Sequence, residues 1–289
     1  MQMLNILELK KVREVLTEEF SNCNHYFTKI SYTFMKAKVC LLLFAVVAFL
    51  ATGCEPVNTP KEVPYFSVSS TQKIAFSPGN LQYKPSKYEW RFAPNQYDYI
   101  GKTNINISET YAYWIDLFVW GTGDNPIFTS NNFNDFGTFV DWGINCIGDD
   151  NPNTWRTLTE EEWNYLIFER PKARALIGIA QVNNVNGLIL LPDNWVAPDS
   201  VLFISGMHRD YSGKGYKAHQ SFNGQQWSLL EQNGAIFLPA AGMREGYYWT
   251  ATIDGSDPCF LYFCEELIYT YSVLINRSIG KSVRLVKNL

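Results

Sequence analysis

Residues 65 to 289 predict an α+β domain made mostly of strands, with one well-marked helix and long ordered loops. Three observations carry that expectation. Runs of four to nine residues rich in β-branched and aromatic side chains recur along the chain between Gly, Pro, Asn and Asp clusters. Aromatic residues make up 16% of the 289 residues, and all nine tryptophans follow position 89, a load that suits a β-rich core or a recognition surface. One segment, 159 to 171, carries a helix-start signature, an apolar stripe and a stop.

The strand-like runs begin with YFSVSS (65–70), KIAFS (73–77), LQYK (81–84) and EWRFA (89–93), with a turn at Ser77-Pro78-Gly79-Asn80. Residues 97 to 153 are rich in Asn, Asp, Gly, Trp and Phe but show no sustained period, which predicts long loops pinned by aromatic rings. Thr159-Glu160-Glu161-Glu162 is a capping box. The threonine hydroxyl accepts from the backbone N–H of Glu162, whose carboxylate reaches back to the cap. Trp163, Leu166 and Ile167 then form one apolar stripe, and Pro171 marks the stop. The three acids favour the positive end of the helix dipole, so helix-start physics accounts for them without catalysis. Next come IGIAQV and GLILLP, flanking Asn183-Asn184-Val185-Asn186-Gly187, in which Asn186-Gly187 is a strong turn dipeptide, then a polar loop over 205–234 and the strand AIFLP at 235–239. GYYWTATI, CFLYFC, LIYTYSVLI and KSVRLV complete the chain as four strands, broken at 254–258 and 276–280.

Charge and cysteine usage exclude several classes. Six of the 24 basic and four of the 28 acidic residues precede Cys54, leaving 18 and 24, a net charge of −6 for the remaining 236 residues. Without a basic run there is no footprint for nucleic acid, whose phosphates demand clustered Lys and Arg. Cys146, Cys259 and Cys264 are odd in number and build no complete disulfide framework. His208 and His219, eleven apart, lack a third ligand at a zinc-like spacing.

Between Met35 and Cys54 the chain reads MKAKVCLLLFAVVAFLATGC, with a basic start at Lys36 and Lys38, an apolar core from Val39 to Ala51, and a small-residue site ending in cysteine. This segment resembles a bacterial lipoprotein signal. Its apolar part falls short of the roughly 20 residues a bilayer span needs, so it predicts a removed signal. Cys54 would become the lipidated, palmitate-bearing N-terminus of an outer-membrane lipoprotein, on the periplasmic or the surface face. An export signal starts at a true N-terminus, so residues 1–34 are read as an over-called start, with a charged cytoplasmic extension as the other possibility. Residues 54–64, with three prolines and no apolar period, read as a tether.

Five phrases then agree in order: WRTLTEEEWNYL (155–166), GLILLPDNW (187–195), AIFLPAAGMR (235–244), GYYWTAT (246–252) and NRSIGKSVRLV (276–286). Together they resemble exported domains of C-type lectin-like fold, in the branch related to formylglycine-generating (sulfatase-modifying factor) enzymes. The resemblance implies a twisted antiparallel sheet, N- and C-terminal strands lying near each other, and long loops carrying a variable surface. It does not by itself assign function, because the fold hosts enzymes, sugar binders and adhesins.

Each of those functions has its own residues. Formylglycine-generating enzymes hold copper with two cysteines separated by four intervening residues, and Cys259 and Cys264 have that spacing. On a regular strand the two thiols would lie on opposite faces and about 16 Å apart, unable to share a metal. Calcium-dependent lectins of this fold use Glu-Pro-Asn or Gln-Pro-Asp with Trp-Asn-Asp. Asp124-Asn125-Pro126 and Pro192-Asp193-Asn194-Trp195 have similar letters in the wrong arrangement, which turn chemistry explains. In variable proteins diversified by retroelements, the C-terminal strands display residues that bind other proteins. The matching positions here are Tyr247, Tyr248, Tyr262, Glu265, Glu266, Tyr269, Tyr271, Asn276 and Arg277. Tyrosines with acidic and amide neighbours suit recognition at low entropy cost. The expected function is a non-enzymatic, adhesin-like binding module for a protein or glycan ligand, without a cofactor. The alternative is a copper-dependent oxidoreductase using Cys259 and Cys264.

Overall fold

The computed structural model describes residues 62–128, 138–206, 220–241, 244–271 and 277–289, together with Arg13. The signal at 35–53, Cys54, tether residues 54–61, the two histidines and Asn276 lie outside them. Residues Glu62–Leu289 form one unit. It is mixed α+β, mostly sheet, as the strand-rich pattern requires.

Four sheets organise the unit. In the first, β1 (Phe66–Ser67), β2 (Lys73–Phe76), β13 (Leu285–Asn288) and β5 (Arg156–Thr157) lie side by side in that order, all antiparallel. The pairing of Val286 with Phe76 brings the two ends of the unit together. The second sheet is the hairpin β3 (Leu81–Lys84) and β4 (Glu89–Phe92). Its approach through Ser77–Asn80 is tight: the Ala93 amide donates to the Asn80 carbonyl at 2.8 Å, and a Cβ on Gly79 would collide with the Ala93 backbone.

A third sheet takes β8 (Ser221–Phe222), β6 (Ile177–Val182), β7 (Val185–Leu190) and β9 (Ile236–Pro239) in that order, antiparallel except for β8 against β6. Here the turn falls within the expected 183–187 segment, but at its first two residues rather than at the Asn186-Gly187 dipeptide. Asn183 and Asn184, at φ 49° and 68°, make the two-residue reversal, pairing Val182 with Val185. Two consecutive positive-φ residues match the strand twist, and asparagine tolerates them better than most residues. Gly187 instead lies within β7, where the Phe237 ring occupies the space a Cβ would need. The last sheet holds β10 (Gly246–Asp254), β11 (Asp257–Phe263) and β12 (Ile268–Tyr271), all antiparallel.

Helix α1 (Glu160–Asn164) starts as its sequence dictates. Thr159 Oγ1 accepts from the Glu162 amide at 3.2 Å, and Glu162 Oε2 accepts from the Thr159 amide at 2.8 Å. A π-turn over Tyr165–Glu169 extends it, with Trp163, Leu166 and Ile167 all buried. A second helix, α2 (Gly224–Gln232), occupies part of what the sequence suggested was a loop over 205–234. It too has a capping box, between Asn223 and Gln226, and seats Trp227 against Phe237 at 5.7 Å between ring centres. Among the described residues no helix is long and apolar enough to cross a membrane.

Residues 97–128 and 138–153 contain isolated bridges and a 3-10 turn rather than sustained strands. Their order comes from buried anchors. The Asp116 carboxylate, 1% exposed, accepts from the amides of Ile100, Gly101 and Lys102, while Trp120 Nε1 donates to the Thr250 carbonyl at 2.9 Å. Trp90, Phe118, Trp142 and Phe139 pack in a chain of ring contacts beside them.

Candidate binding surface

Alternation along β10 and β11 decides where each chemistry-bearing side chain points. Tyr248, Leu261 and Phe263 enter the core shared with α1 and the first sheet. Trp249, Phe260 and Tyr262 enter the aromatic core beneath the long loops, with Tyr247, Cys264 and Tyr269 packed at its edge.

The register of the last sheet aligns Tyr247 with Tyr262 and Tyr262 with Tyr269, one tyrosine per strand in a single cross-strand row. Ring centres are 5.1 Å and 4.8 Å apart along it. Such cross-strand aromatic pairs stabilise a sheet and fix its surface. Glu245, just before β10, closes the row. Its two carboxylate oxygens accept from the hydroxyls of Tyr247 at 2.6 Å and Tyr262 at 2.9 Å. Burial, then the Glu245 carboxylate, push the Tyr247 phenol above its ordinary range; burial, then Cys264 and Glu245, do the same to Tyr262. Both phenols therefore stay protonated as donors. Tyr247 and Tyr269 are half-buried, whereas Tyr262, between them in the row, is buried.

Behind the row lies Lys281, only 3% exposed. Its ammonium sits 4.5 Å, 4.6 Å and 5.0 Å from the ring centres of Tyr247, Phe260 and Trp249. Burial pulls its pKa down to about 8, and the three ring faces are the groups that hold its charge.

The remaining predicted residues divide. Glu265 and Glu266 form the β11–β12 turn, closed by the Cys264 amide donating to the Leu267 carbonyl at 2.9 Å; Glu266 is exposed and Glu265 partly so. Arg277 is half-buried over the Trp120 ring and donates to the Ser256 carbonyl, away from the row. The backbone of Tyr271 pairs with Phe260. Tyr248 is a correction. It is fully buried, accepting from Asn80 Nδ2 and donating to the Pro239 carbonyl, both at 3.0 Å. One step along the strand places it on the face opposite Tyr247, so it builds the core rather than a surface. Asn80 also accepts from Arg284, which donates to Gln96 at 2.6 Å, so Tyr248 belongs to a buried polar network linking β9, β10 and β13.

The two cysteines do not converge. Cys259 is buried on the α1 side, where burial and then Glu160 push its thiol up to about 12, while Cys264 lies at the edge of the opposite face. A soft copper(I) ion needs both thiolates at one point, and this arrangement does not fit it. No group of three metal-capable side chains occurs among the described residues.

Sequence reasoning missed Glu245 and Lys281. Glu245 stood in a turn before the GYYWTAT phrase, and Lys281 within a phrase read only as strand. Glu245 reaches its partners through the β10–β11 pairing, whereas the position of Lys281 follows from long-range contacts such as its bridge with Phe118. In comparison with known proteins, the chain matches no family model, no curated protein and no solved structure.

Proposed function

We propose that this chain is an exported lipoprotein, anchored in the outer membrane through lipid on Cys54, whose C-type lectin-like domain is a non-enzymatic binding module. The carrying observation is the row Tyr247–Tyr262–Tyr269, clamped by Glu245 and bordered by Glu265 and Glu266. Pre-paired tyrosines give contact area with little entropy left to lose, which is what a recognition surface requires. The lectin-like architecture is supported by the antiparallel pairing of β2 with β13, the capped helix after β5 and the aromatic β10. The oxidoreductase alternative is weakened by thiols on opposite sheet faces.

Anchoring and binding are tested separately. Expressed from Met35 in a Gram-negative host, the protein takes up labelled palmitate, and Cys54→Ser abolishes the label; equal labelling of the variant refutes the anchor. The mature chain is screened against secreted proteins and glycans. Against the ligand found, Tyr269→Ala weakens binding by at least about tenfold, the scale of an interface anchor, and Cys264→Ser leaves it intact. A ligand indifferent to Tyr247, Glu266 and Tyr269 overturns the site. Stoichiometric copper(I) uptake lost in Cys264→Ser would favour the oxidoreductase instead.

A further inference from the structure

A second concavity lies on the β3–β4 hairpin, built by other residues than the tyrosine row. It is an open cleft of about 470 Å³ between the hairpin and the loop segments 107–109 and 124–127. Volumes of this order accept a side chain or a small organic ligand. Its walls are of two kinds. Ile107, Pro126 and Ile127 are apolar, whereas Glu109 and Asp124 bring two exposed carboxylates, and among the described residues no lysine, arginine or histidine lines it.

Two tyrosines complete the cleft. Tyr88 is 65% exposed and held at φ 53°, ψ 37°, a left-handed conformation uncommon for a bulky residue, and its hydroxyl meets Glu109 Oε2 at 3.2 Å. Tyr83 is 1% exposed, packed on Trp90 with ring centres 4.5 Å apart. Its hydroxyl has no hydrogen-bond partner among the described residues. Tyr83 shares the cleft lining with Tyr88 and Glu109, and burial first, then these two groups, push its phenol upward. A phenol hydroxyl that lines a cleft and has no protein hydrogen bond among the described residues is available to a ligand atom.

The chemistry selects among ligands. Two carboxylates, two aromatic rings and no lining cation attract positive charge. Of the basic side chains near the hairpin, Arg91 stacks over Trp114 at 3.8 Å and donates to Gln82, Lys84 lies 5.8 Å from the same ring and Lys102 5.9 Å from Tyr111, while Lys87, beside Tyr88, is exposed and does not line the cleft. An apolar wall beside the acids suits a methylene stem ending in a charged head, the build of an aliphatic amine, more than a bare metal ion. A neutral sugar would leave the double negative charge uncompensated.

We propose that this cleft binds an aliphatic ammonium group, carried by a lysine side chain of a peptide or by a free diamine. The head lies between Glu109 and Asp124 against the Tyr88 ring, the stem lies along Ile107 and Ile127, and a polar atom of the ligand meets the Tyr83 hydroxyl.

Calorimetry on the full mature chain tests this with two probes, the capped peptide acetyl-Gly-Lys-Gly-amide and cadaverine, at low and high salt. Binding of either probe, weakened by salt and by about tenfold in Glu109→Gln and in Asp124→Asn, supports the site. Whichever probe binds more tightly identifies the source as peptide or free amine. Both substitutions are at exposed carboxylates, so folding is preserved, and Tyr269→Ala leaves this binding unchanged even if the tyrosine row proves inert. The assignment is overturned if neither cation binds, if both acid variants bind as the parent does, or if calcium alone binds and is lost in Glu109→Gln. Salt-independent binding of maltotriose that disappears in Tyr88→Ala would also overturn it, in favour of a neutral glycan.

Discussion

The two faces of the sheet β10–β11–β12 carry tyrosines one residue apart on the same strand, yet use them in opposite ways. On the α1 side, Tyr248 is fully buried and its hydroxyl is spent inside the protein on Asn80 and Pro239. On the other side, Tyr247 is half-buried, and its hydroxyl donates to the Glu245 carboxylate just before β10. Residue type does not separate them; the pleat does. A tyrosine is therefore a core residue or a recognition residue according to register, and stability measurements should tell the two apart. Tyr248→Ala is expected to cost about 3–5 kcal/mol, the range for emptying a buried aromatic site. Tyr248→Phe keeps the volume but strands Asn80 Nδ2 and the Pro239 carbonyl, at a cost of about 1–3 kcal/mol. Tyr247→Ala is expected to cost about 1 kcal/mol, because much of its surface is already hydrated. Denaturant midpoints measure all three. Equal losses for Tyr247→Ala and Tyr248→Ala would erase the distinction between the faces.

Lys281 sharpens the comparison, because only the row-bearing face buries an amine. Its pKa falls from 10.5 in the unfolded chain to about 8 in the fold, so between those values the unfolded state binds more protons. Stability must then rise with pH across that window and be lowest below about pH 8, where the buried amine is charged. The full gain is at most about 3 kcal/mol, and attraction to the three rings, about 2 kcal/mol when desolvated, opposes it. Lys281→Met removes the titrating group, so the difference in stability between parent and variant narrows from pH 8 to 10. A constant difference over that range would mean that the amine keeps its water and the surface behind the row is open.

Much of this arrangement was legible in the residues and some was not. Strands β2, β3, β4, β9 and β11 follow from local alternation and turn chemistry, and the Thr159 capping box forms in both directions. Helix α2 was missed because only Trp227 and Leu230 are buried on it, too few to mark a period, although Asn223 and Gln226 spelled its start. The hairpin turn lies inside the expected 183–187 segment but three residues before its Asn-Gly dipeptide. Asn-Gly is the stronger turn pair by propensity, but Phe237 claims the space at Gly187 and the strands reverse at Asn183-Asn184 instead. The tyrosine row was visible as single residues, while its clamp depends on the register of β10 against β11 and its buried lysine on a bridge to the distant Phe118. The hairpin cleft is assembled from three distant segments, and no local pattern announces it.

The smallest effect probes the cover over the inner face. Helix α1 lies on that side, with the Glu160 amide donating to Thr252 Oγ1 at 3.0 Å and Thr270 Oγ1 donating to Asn164 Oδ1 at 2.6 Å. Thr159→Ala removes the acceptor for the Glu162 amide and is expected to cost about 1 kcal/mol, since the Glu162 half of the capping box remains. The loss should be local. Cys259, buried beneath Glu160, should become more reactive to a thiol reagent as the helix start frays, whereas Cys264 on the other face keeps its rate. Peptide mapping after timed labelling distinguishes the two cysteines and sets aside the exposed Cys146. Parallel acceleration of Cys259 and Cys264 would mean that the sheet opens as one unit and that its two faces are not held independently.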